Sequence, residues 1–453
     1  MARITDLSEE LLVKILTFLP TKVAVSTSLL SKQWQFLWLW LPKLKYDVYK
    51  DIADGSKSGC LMYRDFINKN LLLHKAPIIE SLSLRVRHRS LQPEDLKSWA
   101  GIAVSRCVRE LSIDTSSSGM KPAVSLPICL PSLKSLKLRR VTYSNDESLG
   151  LLLSCCSVLE HLSIDHYDNL LLPSSLYSLK SLVTLKLQGG KILVDVPRTV
   201  CLPSLKTLEL ECVTYSSDES LRLLLSYCPV LEDLNINRED YDNLRKLVII
   251  VPSLQRLTLS IHPYCSSDGY VIVTPSLKSF KVVDERSPSP YLIEHMPELE
   301  EADIILMGDT ENDTERLLKS ITNVKRLSLR ITFNSGKKNV YPDGIIVFSQ
   351  LETLKLYICS ENWSMLLVHL LKDSPNLRVL DLEEVDDFQE IYGEYEPLSS
   401  GNNQGAVPKC FLNCLETFKF EGYDSKEQED RDLLSFIFKH ACCLKSTSVV
   451  HRR

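Results

Sequence analysis

The chain has 453 residues, beyond the length at which one compact core keeps growing, so it holds several domains or one elongated repeat array. With 44% hydrophobic and 25% charged residues it is neither largely disordered, collagenous nor membrane-embedded. A balance of 53 Lys+Arg against 58 Asp+Glu, net charge −5, with no long basic block, argues against a nucleic-acid partner. No apolar run is long enough to cross a bilayer, and MARITDLSEE lacks the basic start of a secretory signal. An intracellular location, nucleus and/or cytoplasm, is expected, with no membrane partner.

Residues 4 to 41 carry three short amphipathic segments. Ser8 is placed to cap the first, Glu9 and Glu10 sit in its opening turn, and Leu11, Leu12, Ile15, Leu16 and Leu19 follow at helical spacing up to Pro20. Thr21 caps a second segment with Val23, Ala24 and Val25, and Ser31 a third with Trp34, Leu37, Trp38 and Leu41. So few residues cannot enclose this much apolar surface. Either an outside partner covers the remainder or these helices cap the first repeat, and spacing alone leaves both open.

The stretch ITDLSEELLVKILTFLPTKVAVSTSLLSKQWQFLW resembles the F-box motif, with Leu7, Leu11, Leu12, Ile15, Leu16, Leu19, Pro20, Leu30, Ser31 and Trp34 at matching positions and Ser8 where the motif has proline. The resemblance implies docking on a Skp-family adaptor and through it on a cullin. The residues it assigns to that contact are Leu7, Ser8, Leu11, Leu12, Ile15, Leu16, Leu19, Pro20, Trp34 and Leu37. Trp34 and the Leu11/Ile15 stripe would be the anchors, and Ser8 would weaken one adaptor contact while keeping the cap. Residues 1 to 46 hold six Lys+Arg against three Asp+Glu, opposite in sign to the chain, which suits an acidic partner. Residues 47–77 are expected to form a linker or first cap.

Residues 129–164 align without a gap on 201–236 at an offset of 72, with 26 of 36 positions identical. Inside this unit a proline stands two residues before L-x-x-L-x-[L/I/V]. Pro131, Pro203, Pro229, Pro252, Pro275, Pro297 and Pro375 open copies, and further copies without proline begin at Val158, Ser181, Asn323 and Gln350. In Leu133, Leu136 and Leu138 the last two leucines alternate as on a strand, so both face the core while Ser135, Lys137 and Arg139 face out. The proline is expected at the strand's first residue, where no ladder bond is lost. Ser144 with Glu147, and Ser216 with Glu219, read as capping boxes opening return helices. The buried stripes of those helices are Leu149, Leu152, Leu153 and Cys156, then Leu221, Leu224, Leu225 and Cys228.

The pattern resembles the irregular plant leucine-rich repeats over about residues 78–450. The expected fold is α/β: a solenoid with parallel strands on its concave face and helices or irregular segments on its convex face, behind a small three-helix head. The position normally held by Asn or Cys is Val141, Val213, Cys359 and Val385, so an asparagine ladder is mostly missing. Outward strand positions that could meet a target protein are Lys137, Lys186, Glu209, Asn235, Arg256, Lys281, Arg326, Lys355 and Asp381.

Within the repeat region 78–406, residues from about 385 to 406 are acidic, aromatic and then Gly/Ser/Asn-rich, which reads as a surface loop. Residues 407–453 resemble the FBD segment, with Cys414, Leu415, Gly422, Glu427, Leu433 and Leu444 at matching places. Two strands around a helix buried through Leu433, Leu434, Ile437 and Phe438 would close the solenoid. The fourteen cysteines form no CxxC and the histidines no HExxH, so buried, reduced thiols are expected, with no metal and no cofactor. Gly189 and Gly190 make no phosphate loop and no nucleophile elbow occurs, so no enzyme is expected.

Together the three resemblances imply a substrate-recognition subunit of a cullin-type, SCF-like ubiquitin ligase, itself non-catalytic. The alternative is an adaptor-independent interaction scaffold with a degenerate F-box, for which Ser8 is the sequence hint.

Overall fold

The computed structural model describes residues 4, 7–52, 57–86, 93–115, 129–141, 147–239, 243–265, 269–286, 291–309, 311–333, 347–358, 363–385 and 407–452. Ser144, Cys359 and nearly all of the 385–406 loop lie outside these. The chain divides into two compact units, Met1–Ser216 and Ser217–Arg453.

In the first unit, α1 (Glu9–Leu16) and α2 (Thr21–Ser26) are followed by 3-10 turns at Thr27–Leu29 and Leu37–Trp40. The third amphipathic segment is therefore a run of tight turns closing on a 3-10 helix. Ser31 starts a turn, its carbonyl accepting from the Trp34 N–H. Ser8 does stand at the α1 N-cap but makes no side-chain cap bond. Pro20, not Thr21, precedes α2, because the Thr21 hydroxyl accepts instead from the Lys45 backbone N–H at 2.7 Å. That bond ties the head to the first strand of the main sheet.

Among its described residues the first unit has seven parallel strands in the main sheet, Lys43–Asp47, Ser81–Arg85, Glu110–Asp114, Ser135–Arg139, His161–Asp165, Thr184–Gln188 and Thr207–Glu211. The sheet thus starts before the repeat signature does. Residues 47–77 contribute the helices Val48–Asp51 and Lys57–Leu73. Register stacks Leu136, Leu162, Leu185 and Leu208 in one buried column, as the period-two alternation requires.

The second unit carries nine parallel strands among its described residues: Asp233–Arg238, Arg256–Ile261, Ser279–Asp284, Glu301–Asp309, Arg326–Phe333, Thr353–Ile358, Val379–Glu384, Thr417–Tyr423 and Ser446–His451. Each unit also has a three-stranded parallel sheet on its return side. These are Leu170–Leu171, Ile192–Val194 and Thr214–Tyr215, then Leu247–Ile250, Tyr270–Val273 and Tyr291–Ile293. This is the leucine-rich-repeat solenoid fold.

The prolines do not open the strands. In all seven copies the N–H two residues after the proline bonds to the carbonyl of the residue before it, as Leu133 to Leu130 at 3.1 Å and Leu205 to Leu202 at 3.3 Å. Proline therefore fills the second position of a β-turn, for which its ring presets φ, and the strand begins four residues after it, not at it. The second return helix is Asp218–Ser226 with Ser217 at its N-cap, one residue past expectation. The Ser217 N–H donates to the Ser220 hydroxyl at 3.2 Å, while Ser216 donates to Asp195 at 2.7 Å. Both leucine–cysteine stripes are buried, and the Cys156 and Cys228 thiols donate to the carbonyls four residues back. Burial pushes both thiols up to about 12.

The C-terminal segment has the expected strand, helix Gln428–His440 and strand. Its buried face is carried by Leu433 and Ile437, with Phe436 against Phe411 at 5.9 Å between ring centres. Phe438 is exposed, because it lies one residue past Ile437, off the side that packs.

Candidate protein-interaction surfaces

The head sorts its apolar residues by helical phase. Leu12 and Leu16, four apart, point inward and meet Leu37, Leu39 and Leu41 in a small core that also takes in Trp34, only 8% exposed. Leu11 and Ile15, also four apart, point outward with Phe18 and Leu19. Phe18 is 83% exposed, and Leu29 and Leu30 are 88% and 71% exposed after α2. Ser8 and Pro20 are exposed and Leu7 is half-buried.

The ten sequence-derived docking residues therefore split. Leu11, Ile15, Leu19, Ser8 and Pro20 offer a surface, whereas Leu12, Leu16, Trp34 and Leu37 form the interior. Trp34 as a surface anchor is corrected on this point: it closes the turn at residues 31–34 and is buried. Phe18 and Leu29 went unnoticed, although Phe18 follows Leu11 at i+7 and shares its stripe.

On the main sheets the outward positions form rows of charge. In the first unit the last outward row reads Asp47, Arg85, Asp114, Arg139, Asp165 in register. Successive charges pair at 3.6, 3.3, 3.9 and 2.7 Å. The three aspartates are buried and the two arginines half-exposed, so the ladder braces neighbouring strands; the bond to Asp165 holds the Arg139 guanidinium above its ordinary pKa.

Among the predicted target-facing residues, Lys186 pairs with Glu209 at 2.6 Å, Lys281 with Asp303 at 2.9 Å, Arg326 with Glu301 at 3.4 Å and Lys355 with Glu383 at 2.6 Å. Arg256 pairs with Asp233, and Asp381 with Lys419 at 3.9 Å. Lys137 is exposed and ion-pairs with no acid among the described residues, and Asn235 is exposed beside Thr258. Three of the nine, Lys281, Arg326 and Lys355, line one depression of about 360 Å³ together with Ser328 and Thr353. With each cation there matched by an acid, the surface carries little net charge and suits a polypeptide better than a free anion. Among the described residues no group of three His, Cys, Asp or Glu side chains could hold a metal, and no helix is long and apolar enough to cross a membrane.

Comparison with known proteins follows the same division. The F-box domain model matches residues 4–46, a leucine-rich-repeat model 132–157, the LRR repeats of FBD-associated F-box proteins 165–356, and the FBD model 403–449. Two putative FBD-associated F-box proteins of Arabidopsis thaliana are similar to the chain along its whole length. One is 59% identical, covering all of this chain and 98% of its own, and the other 57% identical, covering both chains fully. A further FBD-associated F-box protein of the same plant is 49% identical, again over both full chains.

Proposed function

The chain belongs to the FBD-associated F-box proteins with leucine-rich repeats, and from that membership we propose that it is the substrate-recognition subunit of a cullin-type, SCF-like ubiquitin ligase. The head docks on a Skp-family adaptor, which joins the chain to a cullin, and the outward faces of the repeat strands hold a target protein.

The observation that carries this reading is the strip Leu11, Ile15, Phe18 and Leu19, left bare while Leu12, Leu16, Trp34 and Leu37 complete the head's own core. A fold that buries Trp34 yet leaves four large apolar side chains along one helical stripe has a surface to bury in a second protein. Ser8 is exposed at the start of α1, and as an N-cap residue it disturbs neither helix nor strip. The chain itself makes and breaks no covalent bond; it brings a target lysine near a ubiquitin donor, and the gain in rate is one of proximity and orientation. The depression around Lys281, Arg326 and Lys355 is a place where a target side chain could sit.

The test is co-purification of the full chain with a Skp-family adaptor. The unaltered chain is expected to retain the adaptor through size exclusion, and Leu11→Asp with Ile15→Asp to lose it. Retention by the double variant would remove α1 as the docking face. No retention by the unaltered chain would favour the adaptor-independent scaffold.

A further inference from the structure

The repeat array was expected to be closed by its C-terminal segment, yet its last strand, Ser446–His451, has a strand neighbour on one side and no large buried side chain on either face. Ser446, Thr447, Ser448, Val450 and His451 are all exposed and Val449 half-exposed. In register, Phe418 and Phe420 of the preceding strand are fully buried where Thr447 and Val449 stand beside them uncovered. The strand carries no Lys, no Pro and no charge apart from its terminal histidine, the devices by which proteins normally blunt an edge.

The first strand of the array, Lys43–Asp47, is treated in the opposite way. Two lysines point out from it, its Lys45 N–H is taken by the Thr21 hydroxyl at 2.7 Å, and its Asp47 N–H by the Tyr63 hydroxyl at 3.1 Å. One end is sealed by side chains from the head and the long helix after it, and the other presents a bare row of backbone donors and acceptors.

We propose that the last strand of the FBD segment is a strand-addition site, which takes an extended segment of a different protein as the next strand of the sheet. A second copy fits poorly. Head-to-tail pairing would need the first edge, which is occupied. A two-fold antiparallel pair would set Lys445 of one copy by Arg452 of the other, like charges at both ends of the ladder.

The occupant's chemistry follows from the faces it would meet. On the core side it continues the row of Phe420 and Val449, and the helices leading into this end expose Leu412 and Phe438, so every second residue is aliphatic. On the other side it meets Ser446, Ser448 and Val450, so the alternate residues are small, with a hydroxyl where they face the serines. At the two ends Lys445 and Arg452 are paired with Glu416 and Glu384, so charge at the occupant's ends adds little and serves only to keep a probe soluble. This site belongs to the second unit and does not depend on what the head binds.

The probe is a fluorescent peptide, Glu-Val-Ser-Val-Thr-Val-Ser-Glu, titrated with the full chain and followed by anisotropy. Two further peptides carry N-methyl groups on one or the other alternate set of residues, so that one of them cannot donate to the edge. Saturable binding is expected, weakened at least tenfold in one methylated peptide and at least tenfold by Thr447→Pro, which removes an N–H from the free edge while the N–H groups of Ser446 and Ser448 face the preceding strand, or by Ser448→Lys, with thermal midpoints within about 2 °C because both residues are exposed. The proposal is overturned if the parent peptide does not saturate, if both methylated peptides bind as well as the parent, or if neither Thr447→Pro nor Ser448→Lys weakens binding. It is equally overturned if the chain dimerises and Ser448→Lys dissolves the dimer, for then a second copy takes the edge.

Discussion

Single residues show where backbone geometry, not composition, decides. Gly189 holds φ at +142°, and a Cβ there would fall on the His166 carbonyl oxygen, so Gly189→Ala should destabilise the first unit by more than about 2 kcal/mol. Gly101, in the helix Pro93–Ser105 with open space around it, should gain about 0.5–1 kcal/mol from the same change. Paired thermal or urea unfolding curves distinguish the two. The buried thiols give a pH signature: Cys156 and Cys228 titrate near 9 when unfolded and only at about 12 when folded. The folded state holds those protons longer, so their contribution is fully present below pH 9. Above it, stability falls by up to about 1.4 kcal/mol per pH unit per thiol. Cys156→Ala with Cys228→Ala should flatten that slope in urea titrations from pH 8 to 11. Such details were hidden from the sequence for physical reasons. Ser217 caps its helix in place of Ser216 because Asp195, a repeat away, captures the Ser216 hydroxyl. The charge ladder needs register that only the assembled sheet supplies.

At the scale of elements, the repeat strands were legible, because leucines alternating at period two leave one face for the core. The form of each return segment was also written in the spacing, though it takes the structure to read it. Where strand starts are 25 or 26 residues apart, as from Ser135 to His161, Glu301 to Arg326 and Thr353 to Val379, a helix returns the chain. Where they are 22 or 23 apart, as from Arg256 to Ser279 and Ser279 to Glu301, the return is a short strand in a side sheet. A helix advances 1.5 Å per residue against about 3.3 Å for a strand, so the shorter returns must be extended. In the head, α1 divides its roles by face. Trp34→Ala should lower the stability of the head by about 3–5 kcal/mol, as loss of a buried indole does. Phe18→Ser should leave unfolding within about 0.5 kcal/mol while weakening adaptor binding at least tenfold. If calorimetry found Phe18→Ser as destabilising as Trp34→Ala, the sorting of the head's apolar residues into a core and a proposed docking face would be mistaken.

Over the whole molecule, the order of head, repeats and C-terminal segment could be read from the chain because each has its own period and composition. What could not be read was how the ends are finished. The head lends Thr21 to seal the first strand, while the last strand is left bare. The account rests on the head being complete inside and unfinished outside, and amide hydrogen exchange of the full chain with and without a Skp-family adaptor addresses that directly. The account predicts added protection confined to residues 8–30, with the repeat strands from Ser135 onward exchanging at unchanged rates. Unchanged exchange across residues 8–30 at saturating adaptor, or protection spread through the repeat strands instead, would contradict it.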